Sequence, residues 1–209
     1  YLFTLEDTEM KRFTILSIFS AFLLVLFFVG NFPTLFGFGG TITAPTMYKV
    51  TVTNLTRGQP FSPVIIATHS EAMTPLFELG QPASAALFPV AEDADFTAMT
   101  TLLMNDNEVW DYQTLFGVNG PILPGETASV MIESETGFPL ISMVSMLVVT
   151  NDAFFGLNGA ELPFLDPMRF TAPAYDAGSE TNNENGRFIP GPPFGSAGVR
   201  DTSMAEGYI

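Results

Sequence analysis

The chain has no cysteine. Disulfides, thiolate zinc sites and cysteine nucleophiles are thereby excluded. Histidine is almost absent as well. His69 stands alone, so a His-rich metal centre is excluded and any Ser-His-Asp triad would have to use this one residue. Ser62 and Ser70 are near it in sequence, but neither lies in a Gly-x-Ser-x-Gly elbow. A hydrogen-bonded structural role for His69 and a non-catalytic protein are therefore expected. Positive charge is scarce: 7 Lys and Arg stand against 22 Asp and Glu, for a net charge of −15. Nucleic acid is excluded as a partner, because neutralising phosphates needs clustered cations. Adhesion to anionic lipid is disfavoured for the same reason. Such a charge suits solubility first, and divalent cations or a basic partner surface second.

Charge of either sign is missing between Phe13 and Tyr48. The first part of that stretch, Phe13 to Gly30, reads FTILSIFSAFLLVLFFVG. As a helix it would be roughly 27 Å long at about 1.5 Å per residue, against a hydrocarbon core of about 30 Å. Asn31 and Pro33 end the helix, and Phe32 to Phe38 suits the bilayer interface, where aromatic rings are favoured. Lys11 and Arg12 predict a cytoplasmic N-terminus, with the large domain periplasmic or extracellular. The rival reading is a cleaved signal peptide starting at Met10. Three acids among the residues before Met10, and the lack of an A-x-A site, favour an uncleaved anchor. The expected organisation is a cytoplasmic segment 1–12, an anchor with interfacial segment 13–38, a linker 39–47, a β-sandwich 48–181 and an extended tail 182–209.

Beyond the linker, Tyr48, Val50 and Val52 alternate with Lys49, Thr51 and Thr53, as in a half-buried strand. Ser62 to Thr68 is a short apolar run with Pro63 near its start, a second strand. Glu71 to Gly80 predicts a short helix ended by glycine, and Ala91 to Met104 has helical spacing. Asn105 to Asn119 reads as polar and turn-rich. Thr127 to Glu133 is another strand, and Leu162 to Thr171 holds one more. Pro139 to Thr150 is nearly continuous apolar sequence, the pattern of a central strand. From Tyr175 on, Gly, Asn, Pro and Ser dominate, so the tail cannot build its own core and must drape over the domain or lie along a partner. Short strands separated by turns point to an all-β sandwich with short accessory helices.

Three blocks, in order, resemble the spondin domain. The first is Phe61-Ser62-Pro63-Val64-Ile65-Ile66-Ala67-Thr68-His69, continued by Leu76-Phe77-Glu78-Leu79-Gly80 and Ala91-Glu92-Asp93. The second is Pro139-Leu140-Ile141-Ser142-Met143-Val144-Ser145-Met146, running into Asn151-Asp152-Ala153-Phe154-Phe155-Gly156. The third is Tyr175-Asp176-Ala177-Gly178-Ser179-Glu180. The resemblance implies a Greek-key β-sandwich related to calcium- and lipid-binding domains, in secreted or surface proteins of adhesion type that are not known as enzymes. The animal members resembled here bind calcium. Their Ser-Pro-Asp-Trp-Phe stretch is Thr150-Asn151-Asp152-Ala153-Phe154 in this chain, with the Trp lost and the Asp kept. Their thrombospondin-type repeats and cysteines are absent here, so matrix guidance is not carried over.

Calcium needs six to eight oxygens. Asp152, Asp176 and Glu180, with Asn182 and Asn183 following, are the candidate ligands; the alternative is that the aspartates only cap turns through Asx hydrogen bonds. Glu92, Asp93 and Asp95 read as acids at a helix start, where the dipole favours them, and not as a glycosidase pair across a cleft. Trp110, Tyr112 and Phe116 offer a stacking surface or pack within a loop. Asn54-Leu55-Thr56 is a glycosylation sequon. No other cofactor is expected. The function expected from all this is a membrane-anchored accessory subunit, whose exterior domain and tail bind integral membrane subunits of a larger complex within the lipid bilayer. A respiratory or photosynthetic assembly would be natural company. The alternative is an independent surface adhesin or calcium-dependent ligand binder.

Overall fold

The computed structural model describes residues 2–7, 44–183, 185–195 and 197–209. In chain order the strands are β1 (Leu2–Asp7), β2 (Thr46–Thr53), β3 (Val64–His69), β4 (Val109–Leu115), β5 (Thr127–Ser134), β6 (Leu140–Met146), β7 (Ala153–Glu161), β8 (Met168–Thr171) and β9 (Ala174–Asp176). Two short helices, α1 (Leu87–Asp93) and α2 (Thr97–Asn105), lie between β3 and β4. The chain is mostly antiparallel sheet, in the order β5-β2-β1-β8 in one sheet and β4-β3-β6-β7-β9 in the other.

The alternation in β2 places Val50 and Val52 on the inner face of the first sheet. They meet Val64, Ile66, Ile141, Met143 and Phe155 from the second sheet in one core. Phe61 and Phe155 stack within it at 4.5 Å between ring centroids. The second sheet is buried on both faces. Ile65, Ala67, Val144 and Phe154 point outward from it into a second core, closed by Leu87, Val90, Met99 and Leu103 of the helices. This explains why β3 and β6 read as continuous apolar runs and not as alternating ones. β6 occupies the middle of its sheet, as its sequence indicates. At the sandwich edge, Asp111 of β4 accepts the amide of Glu133 in β5 at 2.9 Å, and the Thr68 hydroxyl donates to the Glu133 carbonyl at 2.6 Å.

Several expectations are corrected. Glu71 to Gly80 is a series of turns, because its apolar residues Met73, Leu76 and Phe77 are spent covering the second core without a regular helical stripe. The helical spacing of Ala91 to Met104 resolves into two helices, broken where Ala94 adopts a left-handed φ of 55°. The polar stretch Asn105 to Asn119 contains β4, an edge strand whose exposed side tolerates polar residues. β7 and β9 are further strands that the sequence pattern did not suggest.

The tail folds back on its own domain. Gly207 donates its amide to Gly178 at 2.8 Å, Ile209 to Gln81 at 2.9 Å, and Gly80 donates to Ile209 at 2.9 Å. A Cβ on Gly191 would come within 2.1 Å of the Val148 carbonyl oxygen, so that backbone lies flat against the β6–β7 turn. Of the two expectations for the tail, draping over the domain describes these residues.

The anchor and interfacial segment, Phe13 to Phe38, lies outside the described residues. Among the described residues no helix is long and apolar enough to cross a membrane. Leu2–Asp7, expected as part of a cytoplasmic segment, forms the strand between β2 and β8 and supplies hydrogen-bond partners to both edges. Paired strands lie on one side of a bilayer.

Candidate functional site

Four chain segments that are distant in sequence meet around two buried carboxylates. Asp152 ends the turn between β6 and β7 and is 0% exposed. Its Oδ2 accepts the Ser179 amide at 2.8 Å, the Ser179 hydroxyl at 3.2 Å and the Glu180 amide at 2.9 Å. Its backbone carbonyl accepts from Ala177 at 3.1 Å. Asp152 therefore pins the loop after β9 to the sheet. Its second oxygen, Oδ1, is buried without a hydrogen-bond partner. Glu180 is 2% exposed. It accepts a long hydrogen bond of 3.4 Å from the Asp201 amide of the tail. Beside it, buried Glu92 at the end of α1 forms an ion pair with Arg200, which also holds Asp93 and lies 5.0 Å above the Phe88 ring.

Burial sets the protonation of this group. Desolvation pushes Asp152 above the usual aspartate value, only partly offset by the Glu180 and Ser179 amides. Glu180 is pushed up to about 7, again chiefly by desolvation, with the neighbouring charges of Asp152, Asp93 and Asp201 adding to it. Burial thus favours the protonated form of Glu180 well above the usual carboxylate range. A cation could take the place of that proton, because the orphaned Asp152 Oδ1 and the Glu180 carboxylate are both short of positive partners.

Of the expected calcium ligands, the fold brings Asp152 and Glu180 together. Asp176 lies close enough for its charge to raise Asp152, but its carboxylate is turned to the Gly178 amide at 2.6 Å and the Asn182 side chain at 2.7 Å. That is the Asx turn left open as the alternative. Among the described residues, no three His, Asp or Glu side chains gather as a metal centre by themselves. Any cation here would draw most of its six to eight oxygens from carbonyls or water. Arg200 and Asp201 were missed at sequence level, since nothing in the tail's composition shows which residues dock.

The remaining candidates are spent on structure. The His69 Nδ1 donates to the Ser70 carbonyl at 2.7 Å, and its Nε2 accepts from the Ser142 hydroxyl at 2.8 Å. Ser142 accepts in turn from the Gly159 amide. Burial lowers the His69 pKa, so the ring stays neutral. Ser142 is fully buried in mid-sheet, out of reach of a substrate. Asn54 is also fully buried; both amide hydrogens are used, on the carbonyls of Gln59 and Ile122 at 2.9 Å each, which closes the sequon in the folded chain. Glu92 and Asp93 do not start a helix but end α1, against the dipole, where Arg200 offsets them. Asp95 does precede a helix, accepting the Thr97 amide of α2. Trp110 stacks on Phe138 at 5.5 Å and Tyr112 packs on the helical core. Phe116 follows the far end of β4, so the three aromatics form no single surface.

At that far end is an apolar tip. The Glu126 carboxylate accepts the amides of Val118 and Leu123 at 2.7 and 2.8 Å, drawing both loop segments together. Asn54 joins the neighbouring loop to them through the Glu126 carbonyl. Leu55, Phe116, Leu123 and Val118, the last 88% exposed, project from these tied loops. The family model described as Spondin_N matches residues 44–184, a span that takes in both sheets from β2 onward and the carboxylate pair. No curated protein matches the chain.

Proposed function

The chain belongs to the spondin N-terminal domain family, and from that premise we propose that it is a non-catalytic, membrane-held accessory subunit binding other membrane proteins through its apolar tip. The observation that carries this reading is the tip itself. Leu55, Phe116, Val118 and Leu123 are large apolar side chains left in water on loops fixed by Glu126 and Asn54. Apolar groups clustered on rigid loops mark a contact surface. The uncharged stretch Phe13 to Tyr48 supports placement at a membrane. The His69–Ser142 pair and the Asp152 Oδ2, by contrast, are taken up by the domain's own hydrogen bonds. The Greek-key arrangement of calcium- and lipid-binding sandwiches is the proposed lineage of the two sheets.

The test is extraction of the native membrane in mild detergent. The proposed subunit emerges with integral membrane proteins at a fixed ratio, and Phe116→Asp with Val118→Asp breaks that ratio while the domain stays folded. A lone monomer overturns the reading. The second reading, calcium-dependent ligand binding, draws on the orphaned Asp152 Oδ1 beside Glu180. In that case calcium raises the Tm above pH 7, where Glu180 is ionised, and a chelator reverses the gain. An unchanged Tm removes calcium from the account.

A further inference from the structure

We propose that the end of the sandwich opposite the tip is seated in the bilayer interface, with Phe164 and Leu165 of the β7–β8 loop inserted among the lipids. The proposal rests on the membrane-held reading and adds which surface meets the membrane and which lipid chemistry it takes.

The register fixes which loops share this end. Thr46, at the start of β2, pairs with Ser134, at the end of β5. Leu140, at the start of β6, pairs with His69 at the end of β3 and with Glu161 at the end of β7. Met168, at the start of β8, is level with Leu5, and Asp7 is level with Tyr48. The loop from Leu162 to Pro167 therefore projects from the end at which the uncharged stretch joins the sheet. Phe164 is 87% and Leu165 81% exposed. Two adjacent large apolar side chains so fully in water form an apolar spot at this end that a lipid surface can cover.

Chain reach favours the bilayer as that environment. On the membrane-held reading Phe38 ends the interfacial segment, and from it to Thr46 the chain can span at most about 30 Å. That holds this end near the lipid. The tip lies a further strand length away, about 27 Å for the eight residues of β2. The stacked pair Trp110 and Phe138 belongs to the same end, and aromatic rings are favoured at the interface. The charges select the lipid. The loop from Leu162 to Pro167 carries Asp166 and no cation, Glu161 ends β7 and Glu135 follows β5 at the same end, and the exposed Arg169 of β8 offsets one of these three acids. The surface suits zwitterionic headgroups and is repelled by anionic ones.

The test uses the full chain reconstituted in phosphatidylcholine vesicles with brominated acyl chains, in a Trp110→Phe background that leaves no native tryptophan. The indole introduced by Phe164→Trp should lose at least about half its fluorescence to the bromolipid. The indole introduced by Val118→Trp at the tip should lose almost none. Replacing a third of the lipid by phosphatidylserine should weaken the first signal. An unquenched indole at position 164 in a chain that floats with the vesicles overturns this proposal and leaves the membrane-held reading intact. The same result with a blue-shifted emission means that the loop is buried against the chain itself or a second copy of it, and overturns lipid insertion equally. Failure to float with the vesicles overturns both.

Discussion

Glu180 and His69 respond to pH in opposite directions. Glu180 has its pKa raised from 4.5 to about 7 by burial. Its protonated form fits the folded chain, so its contribution is complete below pH 4.5 and is lost as the pH rises through 7. His69 has its pKa lowered, so its neutral form fits, and stability is lost as the pH falls below 6.5. Glu180→Gln is a permanently neutral isostere. Thermal melts should show it matching the parent chain at pH 5 and exceeding it by several degrees at pH 8; equal melts at both pH values would mean that Glu180 is ionised in the fold at no cost. Ala94, at the end of α1, is the one non-glycine with positive φ among the described residues. A left-handed alanine costs about 1 kcal/mol relative to glycine. Ala94→Gly is therefore expected to stabilise by up to that amount in denaturant titration.

At the scale of elements, the sequence revealed those whose burial leaves a period. β2 alternates because one face meets the core, and β3 and β6 do not because both faces do. β4, β7 and β9 were hidden for physical reasons. β4 is an edge with polar positions, β7 carries Gly156 and Gly159, and β9 has three residues. Gly156 is needed there, since a Cβ would approach the Phe77 ring at 2.5 Å. The site was half legible. Asp152 and Glu180 were found through the resemblance, whereas Arg200 and Asp201 sit in a tail whose composition resembles a linker. That tail is itself an element with a testable hinge. Gly178 has φ +66°, and a Cβ there would come within 2.1 Å of the Tyr208 carbonyl oxygen. Gly178→Ala should displace the tail at a cost of about 1–3 kcal/mol. Proteolysis beyond Asp201 would then accelerate while the sheets keep their amide protection; unchanged cleavage would mean that the tail is held without this contact.

For the whole molecule, the open relation is between the uncharged stretch and β1. A single crossing by Phe13 to Gly30 and a β1 paired with β2 and β8 exclude each other. Single-cysteine variants at Thr4 and at Thr56, labelled with an impermeant maleimide in sealed vesicles of known orientation, separate the two arrangements. With β1 in the sheet, a denaturant pulse exposes both positions on one face. Labelling of position 4 only from the opposite face would place β1 outside the sheet and restore the single crossing.

Strand order also dictates when this chain can fold. β2 must wait for β5, and β3 for β6, each more than 70 residues further along. Among the strands that pair in the described residues, only β6 and β7 are joined by a short connection. That hairpin is the first sheet fragment a growing chain can close, and distant pairings come later at the cost of loop closure. In the interval β3, with all six residues destined for burial, has only β4 to pair with and leaves its other edge open. An unpaired strand edge in a growing chain is prone to aggregate, and a chaperone that shields Val64 to His69 until Met146 is made would shorten that exposure.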